Sequence, residues 1–158
     1  MKIIDLINED FVNYKGVPVL FIAFPFCTFK CEKECGESCC QNAPLTKQPI
    51  IEIELSKIIQ YYLKNPITKA IVFGGLEPFD SFDEIHTFIS ELRQSTDDPI
   101  IIYTGYYETE IEDQIKQLQQ FQNIIVKFGR FIPNQPHHID PILGVELASP
   151  NQYAKKIS

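Results

Sequence analysis

At 158 residues the chain fits one domain with a sizeable buried core, and 44% hydrophobic against 22% charged residues exclude disorder of the whole. A formal net charge of −7 excludes a broad phosphate-binding face for nucleic acid, while leaving room for a local basic site for one small anion. The longest apolar run, Val17 to Phe26, contains Pro18 and Pro25, falls short of the about 20 residues of a membrane span, and has no basic start before it, so the expectation is a soluble, cytoplasmic protein with no membrane partner.

In chain order, Val17–Ala23 reads as a strand covered on both faces. Cys27 to Pro49 reads as a loop, and Ile53–Leu63 as a helix with Leu55, Ile58, Ile59 and Tyr62 on one side, ended by Asn65-Pro66. Ala70–Phe73 is the next strand, closed by Gly74-Gly75. A helix over Phe82–Arg93 follows, with Ser81 as cap and Glu84 at the capping-box position. Ile100–Tyr103 is a third strand, a polar helix spans Glu108–Gln119, and Ile124–Lys127 is a fourth strand. A short strand near Gly144–Leu147 and a polar tail complete the chain. Repeated βα units of this kind predict an α/β fold with a parallel sheet. Its ligand belongs at the carboxyl ends of the strands, where every special segment falls. One domain over 1–158 is expected, with a cysteine-rich loop over 25–46.

Five cysteines all lie between positions 27 and 40. An odd, clustered set in a chain without an export signal points to a metal or redox site rather than a disulfide framework. Soft thiolates suit an iron–sulfur cluster or zinc, and the cysteines alone weigh the two equally. No pair of Cys-x-x-Cys knuckles is present, and zinc leaves the glycines after the second strand unexplained.

Cys27-Thr28-Phe29-Lys30-Cys31, directly after the first strand, resembles the opening of the radical S-adenosylmethionine (SAM) superfamily, whose usual pattern is Cys-x-x-x-Cys-x-x-Cys. Cys40-Gln41-Asn42 resembles its ending, displaced by the six residues Glu34 to Cys39. The resemblance implies a [4Fe–4S] cluster on Cys27, Cys31 and Cys40, with Cys35 as the runner-up third ligand and Cys39 behind it. Three ligands leave one iron open for the amino and carboxylate groups of SAM. Reductive cleavage of SAM then gives a 5′-deoxyadenosyl radical. Gly74-Gly75-Leu76-Glu77-Pro78 resembles the family's Gly-Gly-Glu-Pro motif with Leu76 inserted, implying that Gly74, Gly75 and Glu77 receive the cationic amino group; the alternative is a tight turn into the helix.

Tyr103-Thr104-Gly105-Tyr106 resembles a segment of the small activating enzymes for anaerobic ribonucleotide reductase. Thr104 is then a hydrogen-bonding partner of SAM, or else the cap of the next helix. Lys127, preferred over Arg130, is the expected partner of the SAM carboxylate. Ser149, Asn151 and Gln152 match a Gly-Ser-x-Asn-Gln segment of the same enzymes and are expected to close the last strand. His137-His138, in a Pro-rich loop, receives no role.

The resemblance runs from Val17 to Ile157 and implies an incomplete TIM-like barrel. It further implies hydrogen abstraction from a glycyl radical enzyme such as anaerobic ribonucleotide reductase, with an electron donor such as flavodoxin or ferredoxin. The alternatives are a radical SAM enzyme acting on a small molecule or peptide, and a non-enzymatic zinc or iron–sulfur binding module.

Overall fold

A computed structural model describes residues 1–158. The strands are β1 Lys2–Ile3, β2 Asp5–Asp10, β3 Val19–Phe24, β4 Ile51–Glu52, β5 Ala70–Gly75, β6 Ile100–Tyr103, β7 Ile124–Phe128, β8 His138–Ile139, β9 Glu146–Leu147 and β10 Tyr153–Lys156. The helices are α1 Lys30–Cys35, α2 Leu55–Lys64, α3 Phe82–Leu92 and α4 Glu112–Leu118, with tighter 3-10 turns at Ala43–Lys47, Pro78–Ser81 and Glu108–Glu110.

The main sheet runs in the order β10-β7-β6-β5-β3-β2. Its four central strands are parallel, in a register that sets Phe24 opposite Gly75 and Tyr103 opposite Lys127. The two edge strands are antiparallel to their neighbours. The central strands are apolar runs because both of their faces are covered. On one face Leu20, Ile22, Phe73, Ile102 and Val126 meet Ile58 of α2, Phe88 of α3 and Leu118 of α4. Phe24, Phe73 and Phe88 stack edge to face there, at centroid distances of 5.5 and 5.4 Å. On the other face Val19, Val72 and Ile101 are covered by Leu143 and Leu147, which come from the chain after β7 rather than from a helix.

The expected parallel sheet of repeated βα units, closing into a partial TIM-like barrel, is therefore corrected to a small mixed sheet of six strands with few helices. The reason lies at the edges. A further βα unit would extend the sheet beyond β3 or β7, but antiparallel β2 and β10 occupy those positions. After β7 the chain makes the short β8–β9 ribbon and returns as β10, with no fifth helix.

Smaller expectations also shift. The polar tail is β10, and the Cys27–Pro49 loop contains α1. The helix expected over Glu108–Gln119 is broken at Ile111, whose backbone (φ −132°, ψ 29°) is not helical. Ser81 precedes α3 without a side-chain cap, and Glu84 instead accepts from the backbone N–H of Lys2 at 3.1 Å. No helix is long and apolar enough to cross a membrane.

Gly75 fixes how closely β3 and β5 approach at their carboxyl ends. Its φ is +86°, and a Cβ there would stand 2.8 Å from Phe24 N and 2.9 Å from Ala23 Cα. Gly75→Ala is expected to lower the melting temperature by about 4 °C or more, from backbone strain and this clash together. An unchanged thermal midpoint by circular dichroism contradicts that close approach.

Candidate metal centre

The carboxyl ends of β3 and β5 stay joined beyond the sheet. Leu76 N donates to Phe24 O at 3.1 Å and Glu77 N to Phe26 O at 2.8 Å. This delivers Cys27 beside the glycine turn. Thr28 N then donates to Asp80 Oδ2 at 2.8 Å, and Phe29, in the left-handed region at φ 52°, starts α1. Cys31 and Cys35 lie one turn apart on that helix, which Gly36 ends in the left-handed conformation at φ 76°. Beyond it, Cys40 N donates to Glu32 Oε1 at 3.3 Å. Asn42 Nδ2 donates to the carbonyl of Gly75 at 2.7 Å. The loop is thus pinned to the end of β5 on both sides of its cysteines.

A second set of contacts holds α1 against β6 and β7. Arg130, 5% exposed, forks onto Glu110 with bonds of 2.6 and 2.7 Å and donates to Gly105 O at 2.7 Å. Its Nε lies 2.6 Å from Glu34 Oε2 on α1. Tyr107 donates its hydroxyl to Glu34 at 3.0 Å, and Lys30 pairs with Glu110 at 3.2 Å while lying over the Tyr106 ring. Arg130→Ala is expected to cost about 1–3 kcal/mol, below the range for a fully buried pair because Glu34 is half exposed. Faster amide exchange confined to α1 and its flanks is the expected signature. Arg130→Lys should not rescue it, since one ammonium cannot replace a planar fork. Unchanged exchange in α1 contradicts the clamp.

All five thiols are free and half-buried. Burial pushes Cys27 up to about 12, and the nearby charges of Glu77, Asp80 and Cys40 add to this despite a lowering bond from Phe29 N–H. Burial also raises Cys31, with Cys40 adding to the rise while Arg130 and Lys127 oppose it. Cys40 therefore lies near both Cys27 and Cys31, and Cys39 also lies near Cys31. Cys35 and Cys39 pair with each other, Sγ to Sγ at 2.6 Å. A Cβ on Gly105 would meet Cys31 Sγ at 3.2 Å and Glu77 Oε2 at 3.6 Å, so the missing side chain keeps space open beside that thiol. No three Cys, His, Asp or Glu side chains form a ready single-ion site. Soft thiols gathered from one loop, next to a glycine that leaves them room, fit an iron–sulfur cluster. Any of these thiols that ligated iron would do so as a thiolate, against the bias that burial gives Cys27 and Cys31 toward the protonated form.

The remaining expected site residues are brought to the same strand ends, but their polar groups are largely turned on one another. Glu77, 5% exposed, accepts from Phe79 N at 3.1 Å, Thr104 Oγ1 at 2.8 Å and Gly105 N at 2.8 Å. Burial pushes its carboxyl up to about 7 against these three lowering bonds. Thr104, also buried, accepts in turn from Tyr106 N at 3.0 Å. Lys127 is buried and donates to Gly129 O at 3.1 Å and Thr104 O at 3.4 Å; burial lowers it to about 8, against the raising influence of Glu77. Gly74 packs its bare Cα against the Phe21 ring.

Ser149 Oγ and Asn151 Nδ2 donate to Arg130 O at 3.4 and 2.9 Å, and Gln152 Nε2 donates to Gly129 O at 3.4 Å, so this segment braces the end of β7. His137 is exposed and pairs with Glu146 on the β8–β9 ribbon. Glu34, Asp80 and Glu110 were not expected. They come from separate segments and meet only in the fold, so sequence spacing carried no signal for them.

A family model described as a 4Fe-4S single cluster domain matches residues 12–146. No curated protein and no solved structure matches the chain. The matched span contains all five cysteines and all four parallel strands, with the Gly74–Glu77 turn between them. The chain belongs to the 4Fe-4S single cluster domain family.

Proposed function

We propose that the chain is a radical SAM enzyme of the activating type, with a [4Fe–4S] cluster held by Cys27, Cys31 and Cys40. The observation that carries this reading is the grouping of thiols. Cys40 neighbours both Cys27 and Cys31 on a loop that Asn42 ties to Gly75 at 2.7 Å, whereas the Cys35 and Cys39 sulfurs contact each other at 2.6 Å. Three thiolates leave one iron of a four-iron cluster without a protein ligand. When bound, the cluster supplies the electron for reductive cleavage of SAM, the source of a 5′-deoxyadenosyl radical.

The chain's own part is to position. Asn42 ties the Cys40 end of the loop to Gly75, and Arg130 holds α1, which carries Cys31, against the ends of β6 and β7. Lys127 is the cation offered to the SAM carboxylate: two of its three N–H donors go to backbone carbonyls, leaving one to spare. Glu77 acts through Thr104 and Gly105, shaping the floor of the site rather than touching SAM. The partner is a glycyl radical enzyme such as anaerobic ribonucleotide reductase, whose backbone glycine gives up the hydrogen atom. The electron comes from a small donor such as flavodoxin or ferredoxin.

The test is anaerobic reconstitution with iron and sulfide, then reduction with dithionite in the presence of SAM, with 5′-deoxyadenosine measured by chromatography. Wild type and Cys35→Ser are expected to form it, and Cys40→Ser is not. A fully loaded cluster that yields no 5′-deoxyadenosine makes the chain a passive cluster protein instead.

A further inference from the structure

Two thiols are left over by the cluster, and they are in contact. We propose that Cys35 and Cys39 form a reversible dithiol–disulfide pair, a redox site separate from the cluster and carried by the segment inserted before Cys40; this rests on the reading that Cys27, Cys31 and Cys40 hold the iron. The two sulfurs stand 2.6 Å apart, closer than non-bonded sulfurs normally approach. The turn that brings them together is built by the backbone. Gly36, at φ 76°, donates its N–H to Glu32 O at 2.9 Å, and Cys39 N donates to Glu37 O at 3.0 Å. The Cys35 thiol donates to Glu37 O at 3.1 Å. A ring of only five residues, already folded on itself, closes with little further loss of chain entropy.

An exchange partner also has access. Glu37 and Ser38 are exposed, and the turn borders an open hollow lined by Phe29, Glu32, Lys33, Gly36, Glu37 and Ser38. In the oxidation both S–H bonds break and one S–S bond forms. The two electrons and two protons pass to a low-molecular-weight disulfide, which leaves as two thiols; a dithiol reverses the step. Because Cys35 is the last residue of α1, closing the bond staples the inserted turn to the helix that carries the ligand Cys31.

The test uses the full chain with its cluster reconstituted, equilibrated anaerobically in mixtures of reduced and oxidised glutathione, alkylated and digested with trypsin. Cleavage after Lys33 and Lys47 places Cys35, Cys39 and Cys40 on one peptide, apart from Cys27 and Cys31. Alkylation of Cys35 and Cys39 is expected to be lost together as the buffer becomes oxidising. The loss should disappear in Cys35→Ser and in Cys39→Ser, and the double variant should keep its full iron content. If both thiols stay alkylatable across every mixture while the iron is retained, the pair is wrong and the three-cysteine set stands. If either is shielded even in fully reducing buffer, and its serine variant loses iron, the underlying ligand set is wrong.

Discussion

Serine at position 27, 31 or 40 is expected to abolish cluster loading, reducing iron and acid-labile sulfide from a full cluster to background after anaerobic reconstitution. Serine at 35 or 39 is expected to leave both unchanged. The effect is large because the three thiols are not interchangeable donors on a flexible loop. Cys27 is fixed by the pairing of Glu77 N with Phe26 O, Cys31 by a helix clamped through Glu34 and Arg130, and Cys40 by Glu32 on one side and by Asn42 on Gly75 on the other. A serine hydroxyl is a harder and less acidic donor, poorly matched to iron–sulfur chemistry. Circular dichroism of each variant should match wild type before loading, since none of the five thiols is fully buried. Retained iron in Cys40→Ser together with loss in Cys35→Ser moves the third ligand to position 35.

Glu77→Ala is expected to destabilise the fold by about 3 kcal/mol or more, a large share of the 5–15 kcal/mol typical of a domain. Alanine leaves Phe79 N–H, Gly105 N–H and the Thr104 hydroxyl facing a buried gap. Each orphaned donor costs roughly 1–3 kcal/mol. The carboxyl also makes stability depend on pH. Burial holds its pKa at about 7 against an ordinary 4.5, so the folded state binds the proton more tightly than the unfolded chain. That contribution is fully present below pH 4.5 and is lost as pH rises through about 7, a decline on the order of 3 kcal/mol from this one group. Lys127 slopes the other way in a higher window: its contribution is present above its ordinary 10.5 and is lost as pH falls through about 8. Urea unfolding of the cluster-free chain between pH 4.5 and 7 should therefore show a falling midpoint in wild type and a flatter one in Glu77→Gln. Equal slopes, or a loss under about 1 kcal/mol in Glu77→Ala, contradict this account of the buried carboxylate.

The centre of the sheet was legible because a strand buried on both faces has little choice of residue. Ile100–Tyr103 emerged with the bounds expected, and Ala70–Phe73 and Ile124–Lys127 lengthened only at their carboxyl ends. The edges were not legible. β2 reads Asp-Leu-Ile-Asn-Glu-Asp and β10 reads Tyr-Ala-Lys-Lys, because an edge strand faces water and needs no apolar pattern. Those two strands decide that the sheet is mixed and stops at six, and the expectation of a partial barrel came from likeness to a family rather than from any signal in them. At the site, the cysteine loop and the glycine turn were legible as neighbours, since both follow strands that lie side by side. The clamp on α1 was not, because Glu34, Glu110 and Arg130 are brought together by three different segments. Nor did the sequence show that Glu77 and Thr104 would bond each other, because residue type at a strand end does not say which way a side chain turns.

The most direct test of a three-cysteine cluster with one open iron is electron paramagnetic resonance of the reduced, reconstituted chain before and after addition of SAM. A reduced [4Fe–4S] signal whose shape and position change on adding SAM is the predicted result, because under the proposed function SAM would complete the coordination of that iron. A signal indifferent to SAM, or metal analysis that finds zinc in place of iron, contradicts it.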